Sequence, residues 1–308
     1  MLWFRPTFNL KISNIMKSNI LNIAKAIICM AVLAISNGLS ASVSIEGNGH
    51  IVTREVEVGA FDEISNLLPA RVNYTVSSEY SCRFSVDENL LEFLDIRVDD
   101  HKLKMGMVKM EDKTAVTVEG VTIRIDGNIC LRPTSFIIEI SAPRLEEIGL
   151  TGSGDFHFVS PVDFNELKIS VAGSADVVFE EAAHIEDFEM QVAGSGGLDC
   201  SNLTAEKVKL GVAGSGDMSI AAGNIKRMKA SVAGSGSIES HAELETLDAS
   251  VAGSGCITAK VNNSLNYSVA GSGEVRYYGS PSVSGSTWGG SLKRLDGPQP
   301  SAKTSKRK

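Results

Sequence analysis

Seven short Gly-Ser corners recur through the second half of the chain at nearly constant spacing, and this limits its possible folds more than any other feature. They are Gly152-Ser153-Gly154, Gly173-Ser174-Ala175, Gly194-Ser195-Gly196, Gly214-Ser215-Gly216, Gly234-Ser235-Gly236, Gly253-Ser254-Gly255 and Gly271-Ser272-Gly273, separated by 21, 21, 20, 20, 19 and 18 residues. Such a period marks a stack in which one supersecondary unit covers the next. The shrinking interval predicts a taper toward the C-terminal end.

Between corners the apolar residues alternate, the period of a strand with one buried face. Ahead of the corners stand Leu167, Ile169 and Val171, then Phe188, Met190 and Val192, then Val208, Leu210 and Val212. Met228, Ala230 and Val232, Leu247, Ala249 and Val251, and Leu265, Tyr267 and Val269 continue the columns. A shorter alternation follows each corner, as at Phe156/Phe158, Val177/Phe179, Leu198/Cys200 and Met218/Ile220, and a weaker third side lies near Ile185, Leu203, Ile225 and Leu244. Antiparallel hairpins would reverse the pattern at every other strand, whereas a parallel coil keeps it. The predicted fold is therefore all-β: a single-stranded parallel β-helix, or β-solenoid, with about 20 residues per turn and right-handed by the crossover rule. Rungs ~4.8 Å apart give seven turns a length of roughly 34 Å.

Two outward columns matter for function. Three residues before each corner stand Gly149, Ser170, Gln191, Gly211, Ser231, Ser250 and Ser268. This flat strip is the candidate binding surface, carried by Ser170, Gln191, Ser231, Ser250 and Ser268; plain solvent-facing strand is the alternative. Five residues before each corner stand Glu147, Lys168, Glu189, Lys209, Lys229, Asp248 and Asn266, a charge ladder that sets register. The corners themselves have a structural cause, because glycine accepts positive φ and serine can bond backbone groups left open at the bend. A ligand strip of stacked corner serines is the other reading.

The N-terminus reads as export machinery. Lys17 and Lys25 precede an apolar run from Ala26 to Ile35, and small or polar residues follow to Ser42, so residues 1–41 are expected to be a signal peptide. Met16-Lys17-Ser18-Asn19 reads as its true opening. The run is too short for a lasting span, and no later segment approaches the roughly 20 apolar residues a membrane helix needs. Removing residues 1–41 takes away four basic residues and no acid, moving the net charge from −8 to −12. An acidic surface disfavours DNA, RNA and anionic lipid. Lys303, Lys306, Arg307 and Lys308 make residues 296–308 a basic, disordered tail. Residues 141–295 form the repeat solenoid and residues 45–140 a less regular β portion that stacks unevenly or caps the stack, with a strand expected from Val116 to Ile125 and a short helix at Asn89-Leu-Leu-Glu-Phe-Leu; the segment from Tyr277 through Leu295 is expected to close the other end.

Cys82, Cys130, Cys200 and Cys256 show no metal or redox spacing, and a Cys82–Cys130 disulfide stays open. No corner continues into a phosphate loop, no serine sits in a GxSxG elbow, and His50, His101, His157, His184 and His241 share no repeat position. Asp155, Asp176, Asp217 and Glu274 follow corners, but Gly197, Ser237 and Cys256 interrupt the column, so they read as turn acids rather than calcium ligands. No catalytic residue, cofactor or metal is expected.

Several segments together resemble one family: Gly59-Ala-Phe-Asp-Glu-Ile-Ser, Val86-Asp-Glu-Asn-Leu-Leu, His101-Lys-Leu-Lys-Met, Ile138-Glu-Ile-Ser-Ala-Pro followed by Leu145, the Val-Ala-Gly-Ser-Gly repeats and Tyr278-Gly-Ser-Pro. Over about residues 48–295 the chain resembles the head GIN domain of auto-transporter adhesins common in Bacteroidetes. The resemblance implies a parallel β-helix in an exported or surface protein with an adhesive role and no catalytic residues to transfer. The function expected is a non-catalytic module presenting a flat face to a glycan or cell-surface protein. A polysaccharide lyase or hydrolase on the same scaffold and a structural envelope protein are the alternatives.

Overall fold

Alternation leaves one face of every strand to be buried, and a parallel coil buries all of them together by laying each turn on the one before. The computed structural model describes residues 43–108, 114–118, 121–125 and 129–296. The expected signal peptide over 1–41 and tail residues 297–308 lie outside the described residues.

The described residues form two compact units, one from residues 43–45, 114–118, 121–125 and 129–132, the other from 46–108 and 133–296. In the first, Val43–Glu46 joins Ile129–Arg132 in a two-stranded sheet, and Thr114–Val118 pairs antiparallel with Val121–Ile125. The stretch expected as one strand from Val116 to Ile125 thus contributes to two antiparallel strands.

The second unit is the parallel stack. Glu147–Gly152, Val162–Gly173, Asp176–Gly194, Gly197–Gly214, Gly223–Gly234, Ser237–Gly253 and Cys256–Gly271 lie parallel in register, with corner glycines aligned from Gly152 through Gly271. Several of these strands bend through two sides of a turn, with register breaks such as that between Phe179 and Ala182. Ile185, Leu203, Ile225 and Leu244 are buried along the third side.

One inward column reads Phe158, Phe179, Cys200, Ile220, Ser240, Ala259 and Tyr277, wide at the first turns, smallest at Ser240 and Ala259 and aromatic again at the last. At its wide end the Phe158 and Phe179 rings stack with centroids 4.2 Å apart, and Phe188 meets Phe179 edge-on at 5.8 Å. Tyr74 caps this aromatic cluster against Phe158 at 5.5 Å and donates its hydroxyl to the Ala142 carbonyl at 2.8 Å.

Stacking continues below the repeats. Glu63–Asn66 lies parallel beneath Glu147–Gly152 and Lys102–Met107 beneath it in turn; Arg71–Val76 lies parallel to both Phe156–Phe158 and Phe136–Ala142. Antiparallel strands then cover this end. Leu94–Asp99 pairs with Lys102–Met107, Ser81–Asp87 with Phe136–Ala142, and Ile51–Val56 with Ser81–Asp87. The short helix expected near Asn89 is a 3-10 turn over Glu88–Phe93. The other end departs from expectation. Residues 277–295 do not fold over it but add one more parallel turn, Ser282–Trp288 on Cys256–Gly271 and Ser291–Arg294 on Glu274–Tyr278. Gly289-Gly290 replaces the Gly-Ser-Gly corner there.

Candidate binding surface

Each corner is closed by its backbone. Gly194 has φ +139°, and a Cβ there would overlap the carbonyl oxygen of Gly173 and come within 3.0 Å of its carbon. Turns approach this closely because the Ser195 N–H donates to the Gly173 carbonyl at 2.9 Å, a bond repeated at Ser215 to Gly194 and Ser235 to Gly214. The second corner position points inward and is buried, as at Gly154, Gly196, Gly216, Gly236, Gly255 and Gly273; Ala175 also fits there. The serine between is exposed at every corner, so its hydroxyl faces solvent and the bend is held by the main chain.

Register brings the five strip residues into one column: Gly149, Ser170, Gln191, Gly211, Ser231, Ser250, Ser268 and then Ser286. Ser170, Ser250 and Ser268 are exposed, while Gln191 and Ser231 are half-buried. The Gln191 amide lies over the place where Gly211 lacks a side chain and donates to Glu189 at 3.3 Å. Lys209 in turn binds Glu189 at 2.5 Å. The only long polar side chain of the strip is thus held by the charge ladder beside it.

A second exposed column runs alongside. Thr151, Ala172, Ala193, Ala213, Ala233, Ala252 and Ala270 stand one position before each corner glycine, all exposed, and Trp288 ends the column. Sequence reasoning missed this column. Its signal was the Val-Ala-Gly triplet, in which a buried valine forces the following alanine outward. Together the serine, alanine and corner-serine columns make a face of small side chains several turns long.

Two of the acids after the corners serve the turn above them, while Glu274 binds Arg276 of its own strand. Asp155 accepts the Asp176 N–H at 3.0 Å, and Asp217 accepts both the N–H and the hydroxyl of Ser237, at 3.0 and 2.7 Å. Among the described residues no group of three or more His, Cys, Asp or Glu is placed to hold a metal ion. His157, His184 and His241 each stand beside a different acid, Glu180, Asp163 and Glu239, on separate turns. Among the described residues the cysteines are free, with Cys82 and Cys200 buried and Cys130 exposed. Burial pushes the Cys82 and Cys200 thiols up to about 12.

The model of the putative auto-transporter adhesin, head GIN domain family matches residues 60–281, most of the chain. The chain belongs to that family. Solved structures share the fold. A protein of Parabacteroides distasonis described as a putative lipid binding protein is 28% identical, with a TM-score of 0.73, and the match covers 82% of this chain and all of that one. Putative adhesins of Parabacteroides merdae and Parabacteroides distasonis are 22% and 23% identical, with TM-scores of 0.71 and 0.72, covering 83% and 82% of this chain and all of theirs. No curated protein matches significantly. The chain's place among head GIN domains points to a binding role at the cell surface or outside it. No helix among the described residues is long and apolar enough to cross a membrane.

Proposed function

We propose that this exported head GIN domain protein is a non-catalytic adhesion module that presents its flat outer face to a glycan or cell-surface protein. The observation that carries the reading is the register column through Ser170, Gln191, Ser231, Ser250 and Ser268, flanked by exposed alanines. Rungs ~4.8 Å apart set hydroxyls on Ser231, Ser250 and Ser268 in succession beside a run of alanine methyls, which suits an extended partner better than a compact one. The described corners that border the strip are short and alike. An enzyme of polysaccharides would need acids and bases converging on one bond, whereas the corner acids stand on separate turns, Asp155 and Asp217 bonded to the turn above and Glu274 to Arg276 of its own strand. The lipid-binding description of the 28% identical Parabacteroides distasonis protein raises lipid as a partner; hydroxyls, an amide and a charge ladder along the strip fit a hydrogen-bonding ligand better.

A glycan array and a pull-down from outer-membrane fractions test the proposal. Wild-type protein is expected to bind in at least one. Ser231→Arg with Ser250→Arg is expected to lose that binding while melting at the wild-type temperature, since both positions point outward. Blank results for the wild type in both assays, or binding that survives the double substitution, would count against this face.

A further inference from the structure

The two ends of the stack are finished differently. At the N-terminal end the outermost strands run antiparallel and carry charge: Arg54 and Glu55 in Ile51–Val56, and Asp95, Arg97 and Asp99 in Leu94–Asp99. Charged edge strands resist further pairing. At the C-terminal end Ser282–Trp288 pairs on one side with Cys256–Gly271 and, among the described residues, with nothing on the other. Its sequence, Ser-Val-Ser-Gly-Ser-Thr-Trp, holds no charge or proline, and all seven residues are exposed. Val283, stacked over buried Leu265, is 41% exposed, and Trp288 is 87% exposed.

We propose that this edge pairs with the same edge of a second copy, forming a two-fold dimer through antiparallel Ser282–Trp288 strands. Pairing satisfies the open row of backbone N–H and C=O groups, and it needs a partner edge that is also uncharged. The segment that follows is a poor cover: residues 297–308 include Pro298 and Pro300, which have no N–H to donate, and four basic residues. Head-to-tail stacking is disfavoured, because it would bury Asp95, Arg97 and Asp99 of the capped end against an uncharged strand. The neighbouring edge, Ser291–Arg294, carries Lys293 and Arg294 and so resists pairing, which confines the contact to one side and closes the assembly at two copies.

A two-fold axis through the middle of the strand, at Gly285, leaves no overhang. It sets Ser284 opposite the partner's Ser286 and lays the Trp288 indole against the partner's Ser282. Seven residues a side bury less than the ~800 Å² per partner of a standard complex, so the association is expected in the micromolar range.

Sedimentation velocity on the full chain over about 5–200 µM, a range set by that weak interface, tests the proposal. The wild type is expected to move from monomer to dimer. Ser284→Lys with Ser286→Lys sets lysines opposite lysines and is expected to stay monomeric, with unchanged circular dichroism. Ser284→Glu with Ser286→Lys sets opposite charges across the pair and is expected to restore the dimer. A wild type that stays monomeric throughout overturns the proposal, as does a double-lysine variant that still dimerises. Dimerisation only after truncation at Asp296 would make residues 297–308 the natural cover and overturn it too.

Discussion

Replacing Gly194 by alanine tests the close stacking of turns with one methyl group. The residue sits at φ +139°, a region that side chains rarely occupy, and the added Cβ would meet the Gly173 carbonyl oxygen, which already accepts the Ser195 N–H. Backbone held in such a region costs about 1–3 kcal/mol, and the overlap adds to it because the obstacle is main chain that cannot rotate away. A loss of about 3 kcal/mol or more is expected, lowering Tm by roughly 6–12 °C for a body of this size. Gly149 supplies the matched control. It lies in the strip column, has no positive φ, and an added Cβ would come no nearer than 3.9 Å to the Ile64 carbonyl oxygen. Gly149→Ala is expected to change stability by less than about 0.5 kcal/mol. Thermal and urea unfolding followed by circular dichroism measure both. Equal effects at the two positions, or a Gly194→Ala loss below about 1 kcal/mol, would refute the claim that corner glycines exist for close approach between turns.

Other consequences can be checked with ordinary means. Phe179→Ala removes the ring stacked on Phe158 and is expected to cost about 3–5 kcal/mol, read from urea midpoints. Asp87 is fully buried; burial alone would raise its pKa, but hydrogen bonds from Thr134, Gly49 and Ser135 hold the carboxyl below the usual carboxylate range. Its contribution to stability is therefore present above the unfolded carboxylate pKa and lost as pH falls through the lower folded value, so acid titration of Tm should fall less steeply in Asp87→Asn than in wild type. Native protein at pH 8 should expose Cys130 to a thiol reagent, while Cys82 and Cys200 react only after unfolding, since burial keeps both protonated.

The repeat half was legible because burial there follows period two and the corner comes at nearly fixed intervals. Leu167, Phe188, Val208, Met228, Leu247 and Leu265 were assigned to one column from spacing alone, and they are register partners. The strip residues followed by the same arithmetic. The first half was harder because its pairings join distant segments: Ser81–Asp87 lies between Phe136–Ala142 and Ile51–Val56, in antiparallel sense on both sides. No local pattern announces that order. The last turn escaped notice because Gly289-Gly290 lacks the serine and Ser282–Trp288 lacks the buried triad. Trp288, the largest exposed apolar side chain on this wall, read as part of a closing segment, whereas it ends the alanine column. Corner serines were given a bonding role that the backbone N–H fills, since a bend this tight already aims that group at the turn below.

The central claim is that equivalent residues of successive turns stand directly over one another. Spin labels at Ser170→Cys and Ser268→Cys, with Cys130 and the half-buried Cys256 replaced by serine, measure it by pulsed dipolar spectroscopy. Five parallel rungs separate the two positions, so the account predicts a single distance distribution centred near ~24 Å. A distribution centred beyond about 35 Å, longer than five rungs and two label arms allow, would contradict the stack.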